Sequence, residues 1–327
     1  MNSKKMKAAV YTQYGPPEVV EVKQVAIPTP KDNEVLIKVY ATTVNRTDCG
    51  FRSAEYFIVR FFSGLLRPKN RTLGNEFAGE VVSTGKEVHL FRKGDRVFGY
   101  NDVQFGAHAE YMVMAEKGPI ATIPEHLSYE EAAPLIEGSH YAWCDLQAAK
   151  LSAGQDILVN GATGAIGSAA VQLSKYIGAH VVAVCDTQNR ELVQSLGADV
   201  VMDYTREDFT KTDRRFDVAF DAVGKSSFGR CKALLKKKGV YMSTELGYLS
   251  QNIFLALLTP FFGGRKVLFP IPTIDKKDVE FFKELAVNNS FKPVIDRVYS
   301  LDQIVEAYTY VETGQKIGNV IIRIAPY

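Results

Sequence analysis

A short apolar run that ends in a cluster of glycines constrains the fold of this 327-residue chain more than any other feature. The run covers residues 156–160, and Gly161, Gly164 and Gly167 follow it. This order predicts a strand, a tight turn and the start of a helix. Glycines there let backbone N–H groups and a helix N-terminus approach a diphosphate with no side chain between them. The predicted dinucleotide-binding turn consists of Gly161, Ala162, Thr163, Gly164, Ala165, Ile166 and Gly167.

A second apolar strand is predicted over residues 180–185, and Asp186 follows it directly. Asp186 comes 19 positions after Gly167, where dinucleotide-binding folds place a carboxylate that binds the adenosine ribose. Such a carboxylate accepts hydrogen bonds from a 2′-hydroxyl and repels a 2′-phosphate, although Arg190 could still reach a phosphate. The local residues therefore favour NAD(H) weakly over NADP(H). The alternative is that Asp186 only caps the next helix, which leaves the preference open.

The predicted elements change character near residue 124. Before it, short strands alternate with Gly, Pro and Asp turns. After it, strands predicted at 156–160, 180–185, 199–202, 216–221 and 239–243 alternate with helices, which indicates a parallel sheet with right-handed crossovers. The chain ends in a predicted strand. We therefore expect an α/β protein in which residues 1–123 and 294–327 form one β-rich domain and residues 124–293 form an inserted dinucleotide-binding domain.

Composition limits the partners. The net charge is +2 and the basic residues are scattered, so no nucleic-acid partner is expected. The N-terminus lacks the apolar region of a signal peptide, and the most apolar late segment, 253–269, is interrupted by Pro260 and Gly263, so no membrane partner is expected either. The four cysteines form no C-x-x-C pair, which favours reduced thiols and a cytoplasmic location.

Several further motifs occur in a fixed order along nearly the whole chain. They cover residues 44–48, 74–79, 94–99, 105–111, 196–199, 221–224 and 314–320. Together with the glycine turn, they resemble the medium-chain dehydrogenase/reductase superfamily, specifically its zinc-free branch of quinone oxidoreductase-like and NAD(P)-dependent alcohol dehydrogenase-like proteins. The resemblance implies a GroES-like β-rich catalytic domain with an inserted Rossmann domain, whose parallel sheet is doubly wound. It also implies a homodimer or homotetramer.

The resemblance also predicts that the chain binds no metal. Zinc-dependent alcohol dehydrogenases of this superfamily have Cys at the position of Asn45, His at that of Asn75, and a third ligand near Glu137. An asparagine carbonyl is a poor zinc ligand. Without zinc, no strong Lewis acid lowers the pKa of an alcohol. Reduction of a conjugated acceptor does not need the metal, because its oxyanion is delocalised and hydrogen-bond donors can stabilise it.

We therefore predict a zinc-independent oxidoreductase that uses NAD(P)H, with a weak preference for NADH. It would transfer hydride to a small-molecule quinone, enone or activated carbonyl compound. One alternative is a zinc-free alcohol or aldehyde oxidoreductase. Another is a non-enzymatic NAD(P)H-binding protein that acts as a sensor or a structural protein.

By family position, three residues are candidates for catalysis. Asn45 could donate its amide N–H to the substrate oxygen, or it could hold a turn. Asp48 could take part in catalysis, or it could fix a loop or a ribose. Tyr56 could donate a hydrogen bond at the rim of the cleft, or it could pack in the apolar segment 56–66, for which we expect a helical flap.

The remaining candidates would contact the cofactor. Asp221, Val223 and Gly224 form a turn after the fourth parallel strand, and this turn should face the glycine turn where the strand order reverses. His140 lies on a predicted helix that borders the nicotinamide in this family.

Overall fold

We describe the protein from a computed structural model, over residues 4–57 and 59–326. Within this part of the chain the strands are β1 Lys5–Val10, β2 Glu21–Ala26, β3 Glu34–Val44, β4 Glu76–Thr84, β5 Arg96–Tyr100, β6 Tyr111–Ala115, β7 Ile120–Thr122, β8 Asp156–Asn160, β9 His180–Cys185, β10 Val200–Asp203, β11 Phe216–Asp221, β12 Leu235–Ser243, β13 Lys266–Leu268, β14 Ile295–Ser300 and β15 Asn319–Arg323.

The α-helices in the same ranges alternate with the strands mainly in the middle of the chain. They are α1 Arg46–Ser53, α2 Val59–Ser63, α3 Tyr129–Ala132, α4 Glu137–Ala149, α5 Ala165–Ile177, α6 Arg190–Ser195, α7 Phe228–Cys231, α8 Gln251–Leu258, α9 Lys276–Val287 and α10 Ile304–Glu312. Every helix described is too short or too polar to cross a lipid bilayer.

The chain divides into two compact units. The first contains Met1–Ile136, Ile274–Val287 and Ile295–Tyr327, and the second contains Glu137–Thr273 and Asn288–Val294. These units do not divide at the domain boundaries expected from the sequence, 123/124 and 293/294, which remain a prediction.

Specific contacts explain why two segments belong to the first unit. Ile136 donates its backbone N–H to the Glu76 carboxylate at 3.1 Å, which holds the segment after β7 on β4. The Lys283 ammonium on α9 donates to the Thr122 hydroxyl at 2.7 Å. The change in sequence pattern near residue 124 marks where helices begin, whereas these contacts determine where the compact unit ends.

The first unit is built on a seven-stranded sheet in the order β14-β15-β3-β4-β5-β7, with β6 also paired to β3. Alternate residues of β3 face one side, so Val35, Ile37 and Val39 are fully buried in one core cluster with Phe77 and Val97. Strands β1 and β2 form a separate antiparallel pair.

The second unit is a six-stranded parallel sheet in the order β10-β9-β8-β11-β12-β13. The strand order reverses between β8 and β11, and ligands of such sheets bind beyond the carboxyl ends of the strands at this point. The predicted fold class is confirmed. The bounds of β8, β9 and β11 agree with the prediction, whereas β12 begins at Leu235 rather than 239, because Leu235 pairs with Phe216 before a shift in register.

Candidate cofactor and substrate sites

The turn after β8 has a backbone shape that requires glycine at its first position. Gly161 has φ +78°, and a Cβ added there would lie 2.7 Å from the Cβ of Val223. The next residue, Ala162, donates its N–H to the Val184 carbonyl at 3.1 Å, which holds the turn against β9. Both constraints hold the backbone of the turn close to the carboxyl end of β8.

The other two glycines of the turn have different surroundings. A Cβ at Gly167 would lie 2.0 Å from the Gly161 carbonyl oxygen, so the helix can pack on the turn only when residue 167 lacks a side chain. A Cβ at Gly164 would meet nothing nearer than 3.8 Å. Gly164 therefore leaves space at the start of α5, whereas Gly167 maintains the packing of the turn.

The N-terminus of α5 offers backbone donors to this space. Gly164 occupies the N-cap position, and its carbonyl accepts the first helical hydrogen bond, from Ser168 N at 2.8 Å. The N–H groups of Ala165, Ile166 and Gly167 make no hydrogen bond within the described residues. Unpaired donors at the positive end of a helix dipole match a diphosphate. The predicted turn, including the half-buried Thr163, therefore fits a dinucleotide.

The turn after β11 is organised by Asp221, which is buried. Its carboxylate accepts hydrogen bonds from Asn160 Nδ2 at 2.9 Å and Ser226 N at 2.7 Å. Val223 is partly exposed beside Gly161, and Gly224 has φ +65°. Asp221 is thus occupied in joining β8 to β11, and Val223 is the member of this predicted set that faces the glycine turn. The buried Asn160 was not predicted, although it ends the apolar strand.

Asp186 caps the turn after β9. Its Oδ1 accepts hydrogen bonds from Asn189 N at 3.0 Å and Asn189 Nδ2 at 2.8 Å. Capping uses only one of its two oxygens in the described structure, so it leaves a ribose-binding role open. Arg190 is exposed at the start of α6.

A second carboxylate, Asp203, lies at the end of β10, in register with Cys185 at the end of β9. Hydrogen bonds from Thr187 and Thr205 hold the pKa of Asp203 below its usual range. Sequence reasoning missed Asp203. It is the last residue of β10, whereas Asp186 directly follows β9, and this position at a carboxyl end of the sheet could have indicated it.

His140 lies on α4, a helix that packs closely on the start of α5. A Cβ on Gly138 of α4 would come within 2.6 Å of the Ala165 carbonyl oxygen. Burial lowers the pKa of His140 to about 4, so the ring is neutral at physiological pH. Its Nδ1 lies 3.7 Å from the Cys144 thiol. His140 is therefore a neutral and buried ring, and its contact with the cofactor stays a prediction.

In the first unit, Asn45 and Asn75 lie side by side. Asn45 Nδ2 donates to Asn75 Oδ1 at 2.7 Å and makes a longer contact of 3.4 Å with the Thr43 hydroxyl. Asn45 also begins α1 with a capping box, in which its Oδ1 accepts from Asp48 N at 3.0 Å. The Asn45 side chain is therefore largely engaged with its neighbours.

Asp48 is completely buried next to this pair. Its two oxygens accept from Gly74 N at 2.9 Å and Asn45 N at 3.3 Å. Burial raises its pKa to about 7, against the opposing effect of these hydrogen bonds. His108 Nε2 lies 3.9 Å from the carboxylate. Asp48 thus holds two backbone segments together.

The tautomer of His108 follows from its partners. Nε2 lies 2.7 Å from the Thr43 carbonyl, which can only accept, so Nε2 carries the proton. Nδ1 then accepts from the Tyr308 hydroxyl at 3.3 Å. Burial lowers the pKa of His108 to about 4, which is consistent with a neutral ring. The buried Arg52 donates a hydrogen bond to Glu312, and its guanidinium carbon lies 5.0 Å from the centroid of the Tyr308 ring.

Tyr56 lies about half exposed in the apolar segment 56–66. The predicted helical flap is helical only at α2, and Ile58, within it, lies outside the described residues. The segment is anchored by Tyr14, whose hydroxyl lies 2.8 Å from Ser63 Oγ. Its outward side chains Phe61, Phe62 and Leu66 are exposed.

Together these features define a two-domain protein with a Rossmann dinucleotide-binding unit. Two family models match the chain: an alcohol dehydrogenase GroES-like domain over residues 31–125 and a zinc-binding dehydrogenase over residues 196–322.

Among curated relatives, the chain is 34% identical to a 2-methylene-furan-3-one reductase of Solanum lycopersicum, covering 98% of this chain and 80% of the relative. It is 30% identical to an NADPH-dependent alkenal/one oxidoreductase of Arabidopsis thaliana, with the same coverage. The solved structure of a quinone oxidoreductase from Coxiella burnetii is similar, with a TM-score of 0.86 and 26% identity over 98% of this chain and 100% of that one. The chain belongs to the medium-chain dehydrogenase/reductase superfamily, as the sequence motifs predicted.

Proposed function

We propose that this protein is an NAD(P)H-dependent oxidoreductase that reduces a conjugated carbonyl compound, either a quinone or an enone. The observation that carries the proposal is the glycine turn, whose open space at Gly164 faces three unpaired N–H groups of α5. The named activities of the relatives supply the substrate class: a furanone reductase, an alkenal/one oxidoreductase and a quinone oxidoreductase.

The chain's own residues would hold the cofactor and position the substrate. The diphosphate would lie on the N–H groups of Ala165, Ile166 and Gly167, and when bound the cofactor supplies the hydride. Asn45 and Tyr56 remain the proposed donors to the substrate oxygen. Because Asn45 Nδ2 already donates to Asn75, a donor role for Asn45 requires its weaker contact with Thr43 to open. Asp48 would act as a positioning residue, through Asn45.

We propose that the reaction proceeds without zinc. Asn45 and Asn75 occupy the positions of two zinc ligands in the zinc-dependent relatives, and here they hydrogen-bond to each other. Residues 4–57 and 59–326 contain no group of three or more His, Cys, Asp or Glu side chains arranged to hold a metal. Asparagine side chains are poor zinc donors. These observations support a hydride transfer stabilised by hydrogen bonds instead of by a Lewis acid.

We further propose a weak preference for NADH. Two carboxylates, Asp186 and Asp203, end neighbouring strands where the adenosine ribose would lie, and a 2′-phosphate would be repelled by both. The exposed Arg190 provides the opposing attraction. The Arabidopsis relative is named as NADPH-dependent, so this preference would distinguish the chain from it.

A homodimer or homotetramer in the cytoplasm completes the proposal. All four cysteines are free thiols, which is typical of reducing compartments. Light scattering of the purified protein and cell fractionation would test these two points, and a monomer or a protein found only in an organelle would contradict them.

Activity assays with a defined substrate panel test the proposed function. The purified protein is supplied with NADH or NADPH and one of four acceptors: a quinone, a linear alkenal, a cyclic enone or a saturated ketone. The alcohols that correspond to the carbonyl acceptors are tested in the reverse direction with NAD⁺ or NADP⁺. We expect turnover of the conjugated acceptors, unchanged by EDTA, in protein that holds no stoichiometric zinc by elemental analysis. Turnover only of alcohols would favour the alcohol oxidoreductase. Tight NAD(P)H binding with no turnover would favour a sensor or structural protein.

A further inference from the structure

Asn75 lies directly before β4 in a segment whose backbone is held on both sides. Gly74 N donates to Asp48 Oδ1 at 2.9 Å, and the Asn75 carbonyl accepts from Asn101 N at 2.6 Å. A Cβ on Gly74 would lie 2.6 Å from Cδ2 of His108, so the segment is also tightly packed. Asn75 has no exposed surface. Its side chain therefore has a fixed origin, and it can act on a substrate only through a neighbour.

The orientation of the Asn45 and Asn75 amides follows from the hydrogen bonds around them. Asn45 Oδ1 accepts from Asp48 N in the N-cap of α1. Asn45 Nδ2 must then lie on the other side of the amide, where it donates to Asn75 Oδ1 at 2.7 Å. Asn75 Nδ2 in turn lies 3.4 Å from the Tyr100 hydroxyl. Exchanging oxygen and nitrogen in either amide would place two acceptors or two donors against each other.

The amide nitrogen of Asn45 carries two hydrogens, and the bond to Asn75 uses one of them. The other makes the longer contact of 3.4 Å with Thr43 Oγ1. The Thr43 hydroxyl donates to Glu76 Oε2 at 2.7 Å, so it meets Asn45 only as an acceptor. Because the contact with Thr43 is long and weak, a substrate oxygen can take the second N–H while the bond to Asn75 stays intact.

We propose that Asn75 is a positioning residue, which holds one N–H of Asn45 so that the other is available to the substrate oxygen. This inference rests on the proposed reductase function. When hydride reaches the conjugated carbon, an electron pair moves onto that oxygen, and a donor that is already oriented stabilises the charge without reorganising. An Asn45 amide free to rotate would also turn its own oxygen towards the developing charge, which is repulsive.

A double-mutant cycle between Asn45 and Asn75 tests the inference in the full chain. Asn75→Leu removes both amide hydrogen bonds at similar volume, whereas Asn45→Ser removes the amide donor and keeps an oxygen for the N-cap. We expect Asn45→Ser to lower kcat about 100- to 1000-fold. Asn75→Leu should lower it about 10- to 100-fold, since a displacement of about 1 Å can cost 100-fold. The double variant should be only as slow as Asn45→Ser, because Asn75 acts through Asn45.

The same variants distinguish positioning from a general loss of structure. The KM for the enone and the Kd of the cofactor should stay near the wild-type values, because the hydrogen bond strengthens only in the transition state. The matched control is Asn70→Leu, which removes a 3.0 Å amide hydrogen bond to the Val103 carbonyl in the same unit and should leave kcat unchanged. Melting temperatures verify that each variant is folded.

A milder variant keeps the test decisive if Asn75→Leu does not fold. Tyr100→Phe removes the hydroxyl next to Asn75 Nδ2. It should lower kcat about two- to threefold, which corresponds to one weak hydrogen bond, and should have no effect in the Asn45→Ser background. An unchanged kcat in both Tyr100→Phe and folded Asn75→Leu would overturn the inference. So would a double variant whose loss equals the product of the two single losses, because Asn75 would then be a purely structural residue.

Binding of 4-nitrophenolate separates this inference from the proposed function, because a phenolate carries a delocalised oxyanion and needs no turnover. With oxidised cofactor present, its Kd should rise about tenfold or more in Asn75→Leu, and Asn75→Leu should have no effect in the Asn45→Ser background. If the wild type reduces no conjugated acceptor but shows this pattern, the proposed function fails and the positioning role stands. A wild type with neither turnover nor phenolate binding would overturn both.

Discussion

Gly164 and Gly167 belong to one turn, but single replacements of them should have different effects. A side chain at Gly164 should weaken cofactor binding, whereas a side chain at Gly167 should lower the stability of the fold. At Gly167 an added Cβ would lie 2.0 Å from the Gly161 carbonyl oxygen and 3.0 Å from the Ala162 Cα, so the backbone itself must shift. Overpacking of this kind costs about 1–3 kcal/mol. For a chain of this size we expect Gly167→Ala to lower the melting temperature by about 2 °C or more.

At Gly164 the effect should be on binding. The residue has extended backbone angles, φ −69° and ψ 170°, which any residue can adopt, and its Cβ has free space. A valine there is a poorer N-cap by about 1 kcal/mol. Its methyl groups would occupy the space in front of the N–H groups of α5. Loss of one charge-assisted hydrogen bond, worth about 1.5–3 kcal/mol, weakens NADPH or NADH binding about 10- to 150-fold.

The assay measures melting temperature and the Kd of each cofactor for the wild type, Gly164→Val and Gly167→Ala. Gly229→Val is the control, because Gly229 is exposed in the same unit and a Cβ there meets nothing nearer than 3.9 Å. If Gly164→Val binds both cofactors as tightly as the wild type, the open space is not the diphosphate site. If Gly167→Ala melts at the wild-type temperature, the calculated clash has no energetic consequence.

Three further predictions concern charges. The first variant, Asp186→Asn, keeps an acceptor for the cap and should shift the ratio of kcat/KM for NADPH to kcat/KM for NADH upward by about tenfold or more at low salt. The control variant Asp213→Asn, at an exposed position, should leave this ratio unchanged. An unchanged ratio in Asp186→Asn would mean that Asp186 does not face the ribose. Burial raises the pKa of Asp145 to about 8, so its folded form stays protonated while the unfolded chain ionises near pH 4. The free energy of unfolding of the wild type should therefore fall as the pH rises from about 4 to 8. The melting temperature of Asp145→Asn minus that of the wild type should rise over that range and then level off. A difference that is constant with pH would refute the raised pKa of Asp145. Glu312→Ala leaves the Arg52 guanidinium buried and without its ion-pair partner, so it should lower the free energy of unfolding by about 3–5 kcal/mol, measured by chemical denaturation. A loss under about 1 kcal/mol would contradict the interpretation of Arg52 and Glu312 as a buried ion pair.

The sequence by itself determined the features that depend on neighbouring residues. The glycine turn, the bounds of β8, β9 and β11, and the fold class follow from local periodicity and turn chemistry, which a short window contains. Family membership followed from motifs in a fixed order, and the relatives confirm it.

Only the tertiary structure decided which side chains are already engaged. Asn45 bonds to Asn75, 30 residues away, and His108 to Tyr308, 200 residues away. Such partners meet because strands and helices that are distant in the chain pair or pack together, and a residue's local sequence carries no record of those contacts.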